Sequence, residues 1–184
     1  MNDRIANFLT PYRAGAIAAG GSACLLAAAH AFETFGNFEP CKLCLDQREA
    51  HWTGLAVVLI TLGVHHFWQA SRAVIAGFAV AAVIYLFSSG LAAYHAGVEW
   101  KFWPGPATCS GSSAPITTGA DLFDRLDHAP IVSCSDAAWR LFGVSMAGYN
   151  AVFSLALAAI TGVAALRLFR GLKATAPAGR STVS

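Results

Sequence analysis

Four uninterrupted runs without a single Asp, Glu, Lys or Arg, at 14–32, 50–68, 73–95 and 144–166, restrict what this 184-residue chain can fold into more than any other feature. Each is about as long as a helix needs to be to cross the roughly 30 Å hydrocarbon layer of a bilayer. Nothing in hydrocarbon replaces water as a partner for backbone N–H and C=O groups, so each run can satisfy itself only as a helix, and Gly and Ala let such helices approach closely. Composition agrees. Charged residues make up 12% of the chain, where a soluble domain carries roughly 25%, and the mean hydropathy is +0.54. The runs therefore predict an all-α fold, a four-helix transmembrane bundle forming one membrane domain over 1–184. A net charge of +2 is too small to point to nucleic acid, and the blocked apolar residues exclude disorder. The first run has one rival, a cleaved signal peptide with Arg4 and Arg13 before it and Ala29-His30-Ala31 as a small-x-small site. It is longer than a usual signal core, so a retained span is expected.

Orientation follows from sorting the charges by side. If the chain crosses four times, one side receives both termini and the link near Arg72. It holds Arg4, Arg13, Arg72, Arg167, Arg170, Lys173 and Arg180 against Asp3 alone, a balance of +6. The other side receives loops 33–49 and 96–143, with five basic residues against nine acidic ones, a balance of −4. Both termini are expected in the cytoplasm and the two loops outside. Trp100-Lys101-Phe102-Trp103 suits a membrane interface, and residues 120–128 suit a short amphipathic helix lying on it, with Leu122, Phe123 and Leu126 toward lipid.

This topology sorts the five cysteines. Cys24 falls in mid-span, where a small packing role is expected; Cys41, Cys44, Cys109 and Cys134 all fall outside, where disulfides persist. Four cysteines allow three pairings. The Cys41-Lys42-Leu43-Cys44 spacing favours a local pair, leaving Cys109 with Cys134. A Cys-x-x-Cys pair closes a small, easily reduced ring, and Cys44 at the start of the second helix gains thiolate character from the helix dipole. Arg48 at i+4 and His51 at i+7 share its face, and the Arg48 guanidinium could lower the thiol pKa further and hold an electron-rich acceptor. Arg48 could equally snorkel at the interface. The second pair brackets a Pro- and Gly-rich loop, placed to exchange with a soluble thiol protein and be regenerated by its neighbour.

Together, Pro40-Cys41-Lys42-Leu43-Cys44 followed by Gln47-Arg48, then Trp103-Pro104-Gly105-Pro106-Ala107-Thr108-Cys109, then Cys134 with Trp139 and Met146, make the chain resemble the DsbB family of bacterial inner-membrane thiol oxidases over nearly its whole length. The resemblance implies that the Cys109–Cys134 disulfide oxidises a DsbA-like periplasmic thioredoxin-fold partner, through a mixed disulfide at Cys109. It also implies that Cys41–Cys44 restores the loop disulfide and that Cys44, as thiolate, delivers two electrons to ubiquinone or menaquinone near Arg48. His95 and Met146 match the family positions near the quinone. No metal site is expected: His65 and His66 at the inner end of the second span read as interfacial.

Two other readings compete. A non-enzymatic four-helix scaffold or small transporter would hold two structural disulfides, but the spans lack the buried charge that a solute pathway needs. The vitamin K epoxide reductase family, another quinone-linked four-helix bundle, places its Cys-x-x-Cys after the loop pair, whereas here it comes first.

Overall fold

The computed structural model describes residues 10–68, 71–106, 134–137 and 139–175. The expected amphipathic helix at 120–128 and Cys109 lie outside the described residues. Four long helices carry the fold: α1 (Pro11–Gly36), α2 (Lys42–Phe67), α3 (Ser71–Glu99) and α4 (Met146–Thr175). All four are long and apolar enough to cross a membrane. Each covers one of the uncharged runs, except that α2 stops one residue short of the end of the second and α4 begins two residues into the last, and most overshoot. At 26 to 30 residues and 1.5 Å per residue they reach about 39 to 45 Å, beyond the hydrocarbon layer itself.

Capping chemistry, rather than the first charged residue, sets the ends. Thr10 accepts the Arg13 N–H at 3.3 Å and Pro11 opens α1. Asn37 closes that helix in the left-handed region at φ 52°. Cys41 then caps α2 with an extended backbone, its sulfur accepting the Cys44 N–H at 3.4 Å. The loop expected over 33–49 is thereby confined to 37–41, since Glu33 and Arg48 both lie on helix.

Before α4 the chain makes a feature that its hydropathy pattern does not show, a hairpin of β1 (Arg140–Leu141) and β2 (Val144–Ser145), paired Arg140 to Ser145 and Leu141 to Val144. Its two turn residues, Phe142 (φ 50°) and Gly143 (φ 81°), are both left-handed, as a two-residue hairpin matched to strand twist requires. Arg140 ties the hairpin to the end of α3 through the Glu99 carbonyl at 3.2 Å, and the Tyr149 hydroxyl ties α4 to the Leu141 carbonyl at 3.1 Å.

α3 packs most extensively on α4, then on α2. Small residues carry the contacts: Ala18, Ala81 and Ala158 meet Val58, Tyr85 and Leu157 in mid-bundle, and Ala14, Ala164 and Ala165 meet Val74 and Phe78 at one end. Gly54 makes room for Tyr85, since a Cβ there would stand 2.7 Å from the ring. Large apolar side chains including Leu59, Ile60, Val83, Phe87 and Leu155 point outward, a surface suited to lipid. Cys24 is exposed too, so it faces away from the bundle instead of packing inside it. A third buried cluster, at the other end, consists of Cys41, Leu43, Val98 and Cys134.

Candidate functional site

Cys41 of that third cluster lines a cavity of about 410 Å³ together with Cys44, Arg48, His95 and Met146. Five of the site residues expected from sequence thus converge from three helices and the α1–α2 turn. A sixth, Cys134, is 1% exposed and packs against Cys41; it is disulfide-bonded, while Cys41 and Cys44 are free thiols. The seventh, Cys109, is outside the described residues.

Capping places the reactive pair. With Cys41 at the N-cap and Cys44 one turn in, the two sulfurs sit 2.9 Å apart and share a hydrogen bond. Cys41 Sγ also accepts the Cys44 backbone N–H and lies 3.6 Å from His95 Nε2. The Cys44 hydrogen bond, with His95 and that amide behind it, pulls the Cys41 thiol down to about 4 against the opposing cost of burial. The helix-dipole argument applied from sequence to Cys44 extends to Cys41, the residue that occupies the cap.

Arg48 lines the cavity with its guanidinium held by the Glu33 carboxylate and, at 3.1 Å, by the Ala29 carbonyl. It is three-quarters or more buried rather than snorkelling, and its charge is already shared with Glu33. His95 is 3% exposed and packed between Cys41, Gln47 and Glu99, with Glu99 Oε1 3.8 Å from its Nε2. Glu99 Oε2 is a buried oxygen with no hydrogen-bond partner among the described residues. Met146, the first residue of α4, joins the lining directly after the hairpin.

Three further polar residues, Gln47, His51 and Asn150, line the same cavity. Gln47 donates to the Leu43 carbonyl at 3.0 Å and contacts His95 Nδ1 at 2.9 Å. Asn150 donates to Gln47 Oε1 at 2.6 Å and meets His51 Nε2 at 2.9 Å. His51 continues to Ser154 and Ser22, and Ser22 to Tyr85. The seam touches all four helices. In sequence, His51 shares the face of Cys44 and Gln47 stands beside Arg48 in the motif, whereas Asn150 lies 103 positions from Gln47.

The cavity has the dimensions of a small-molecule site, about 300 to 1,000 Å³. Apolar walls from Leu25, Phe32 and Phe153 face a polar end of thiols, guanidinium and imidazole. This donor set fits a quinone head group: an apolar ring has a slot, and a carbonyl oxygen has the Arg48 guanidinium as a donor. The family model for disulfide bond formation protein DsbB matches residues 12–164. The chain belongs to the DsbB family. No curated protein and no solved structure matches it. As a DsbB family member it is a multi-pass membrane oxidoreductase of disulfide formation, and the matched segment takes in every candidate site residue from Cys41 to Met146.

Proposed function

We propose that this DsbB family member is a thiol:quinone oxidoreductase that reoxidises a DsbA-like periplasmic thioredoxin-fold protein. The observation that carries the reading is the single cavity that collects Cys41, Cys44, Arg48, His95 and Met146, with the disulfide-bonded Cys134 packed on its Cys41 wall.

The Cys109–Cys134 disulfide takes the first step. A partner thiolate attacks Cys109, Cys134 leaves as thiolate, and the second partner thiol resolves the mixed disulfide, leaving the partner oxidised and Cys109 and Cys134 as thiols. Those thiols then reduce the Cys41–Cys44 disulfide and become a disulfide again. The two electrons now reside in the inner pair, where Cys41 is the stabilised thiolate and Cys44 carries the proton of the shared hydrogen bond. Ubiquinone or menaquinone would supply a two-electron, two-proton acceptor when bound. Arg48, His95 and Met146 would hold it, Arg48 by releasing part of its contact with Glu33, and the apolar walls would keep water from the thiolate. The Cys41–Cys44 end faces the periplasm and both termini face the cytoplasm, as the segregated charges require.

Anaerobic mixing of purified protein, quinone and a reduced thioredoxin-fold partner tests this directly. Partner oxidation and quinone reduction are expected in equal amounts. Cys44→Ser should abolish both, and unchanged turnover in that variant overturns the assignment. Cys134→Ser should strand a mixed disulfide between Cys109 and the partner, identifiable by mass after alkylation.

A further inference from the structure

Cys41 Sγ, Cys44 Sγ and a ring nitrogen of His95 lie within 4.8 Å of one another. The 3.6 Å between Cys41 Sγ and His95 Nε2 is close to the ligand separation that tetrahedral zinc, with bonds of about 2.3 and 2.1 Å, imposes. A metal needs a bare ring nitrogen, however, and the opposite side of the ring decides whether Nε2 can be bare.

Gln47 stands there, and its orientation is fixed by atoms that leave no choice. The amide atom 3.0 Å from the Leu43 carbonyl oxygen is the nitrogen, because a carbonyl only accepts. The same nitrogen lies 2.9 Å from His95 Nδ1. Its two hydrogens are thus assigned, one to Leu43 and one to His95, so Nδ1 is the acceptor. The oxygen end agrees, accepting from Asn150 Nδ2 at 2.6 Å. Asn150 is itself oriented by its Oδ1, which takes the Ser154 hydroxyl at 3.2 Å and faces His51 Nε2 at 2.9 Å. Reversing the Gln47 amide would set oxygen against the Leu43 carbonyl and nitrogen against the Asn150 nitrogen, losing both of those bonds. With Nδ1 accepting, the imidazole proton sits on Nε2, facing Cys41 Sγ and, at 3.8 Å, Glu99 Oε1.

We propose that Gln47 is a positioning residue that fixes His95 with its proton on Nε2, so that the imidazole donates to the Cys41 sulfur and does not close a Cys41–Cys44–His95 metal site. The inference rests on the thiol-oxidase reading only for its use: a donated N–H steadies a thiolate and leaves it free to react, whereas a metal would sequester both thiols. Carboxylates behave oppositely to amides at this position, since an acceptor on Nδ1–H leaves Nε2 bare for a metal, the usual support of a metal-bound histidine.

The test uses the full-length reduced protein in lipid nanodiscs at neutral pH and reads no turnover, so its failure is separable from failure of the oxidase reading. Nitrogen NMR of histidine-labelled protein, with the His95 signals assigned by their loss in His95→Ala, should show Nε2 protonated and Nδ1 bare. A proton on Nδ1, alone or together with Nε2, overturns the proposal. Cobalt(II) titrated into reduced Gln47→Glu should produce a sulfur-to-metal charge-transfer band with at least about tenfold higher affinity than in the unmodified protein, the lower end of second-sphere effects on metal sites. Equal affinities overturn it as well. Should Gln47→Glu fail to fold, the NMR spectrum of the unmodified protein still decides.

Discussion

Cys41 and Cys44 are three positions apart, yet the fold gives them unlike roles. Cys41 ends a turn, caps a helix and meets His95; Cys44 shares a hydrogen bond with it from one turn above. With its thiol pulled down to about 4, Cys41 should be a thiolate at every physiological pH. In the reduced protein the ultraviolet thiolate absorbance that Cys41→Ser removes should persist from pH 8 to pH 5 and fade only as the pH drops toward about 4. A midpoint near the ordinary thiol value of about 8.5 would contradict this. The sign carries over to the redox potential. Lowering a thiol pKa stabilises the reduced pair, so removing a stabilising donor makes the pair easier to oxidise. His95→Ala should therefore move the Cys41–Cys44 midpoint potential at pH 7 more negative, by about 30 mV for each unit the Cys41 pKa rises. A glutathione redox titration followed by thiol trapping measures it. None of this division of labour was legible in Cys-x-x-Cys spacing, because it depends on which sulfur takes the cap and on a histidine 54 positions away.

The helices themselves were legible, since a run of about 20 uncharged residues has only one solution in hydrocarbon. Their ends were not. Charge alone does not mark the boundary: Asn37 and Cys41 set it by backbone conformation, and α1 and α2 carry Glu33 and Arg48 on helix, within reach of each other. The β1–β2 hairpin escaped notice for a related reason: two-residue strands show no alternation, and Phe142-Gly143 is not one of the sequences that announce a tight turn. Two stability predictions belong here. Cys41→Ser keeps an oxygen cap on α2, whereas Cys41→Ala leaves the Cys44 amide without one. The alanine variant should be the less stable by about 1 kcal/mol in denaturant unfolding of the reduced protein. At Gly143, φ 81° with open space around it makes the backbone conformation the whole cost. Gly143→Val should destabilise the chain by about 1 to 3 kcal/mol in the same unfolding measurement.

At the scale of the molecule the fold separates three environments: an outer apolar surface, small-residue contacts between helices, and one polar seam running from Ser22 and Tyr85 through His51 and Asn150 to Gln47 and His95. The seam is anchored at the end of the bundle where Cys41, Cys134 and the cavity lie, so which side of the membrane that end faces determines which thiols it can reach. Orientation is decided by charges at the ends of the helices rather than by anything in the seam. Arg167, Arg170 and Lys173 lie on the last turns of α4, at the opposite end from Met146. Crossing the membrane with three cations would cost about 2.5 to 3.5 kcal/mol each at mid-bilayer. In spheroplasts, a protease-cleavable tag after Ser184 should therefore resist external protease. A membrane-impermeant maleimide should label Asp136→Cys, whose parent side chain is 76% exposed. Replacing Arg167, Arg170 and Lys173 together with Gln should leave helix content unchanged while part of the population exposes the tag, because the apolar runs that make the helices are untouched and only the bias between the two insertions is weakened. A tag open to protease in the unmodified chain would invert the assignment, placing the disulfide cavity on the reducing side, where a reoxidised partner could not accumulate.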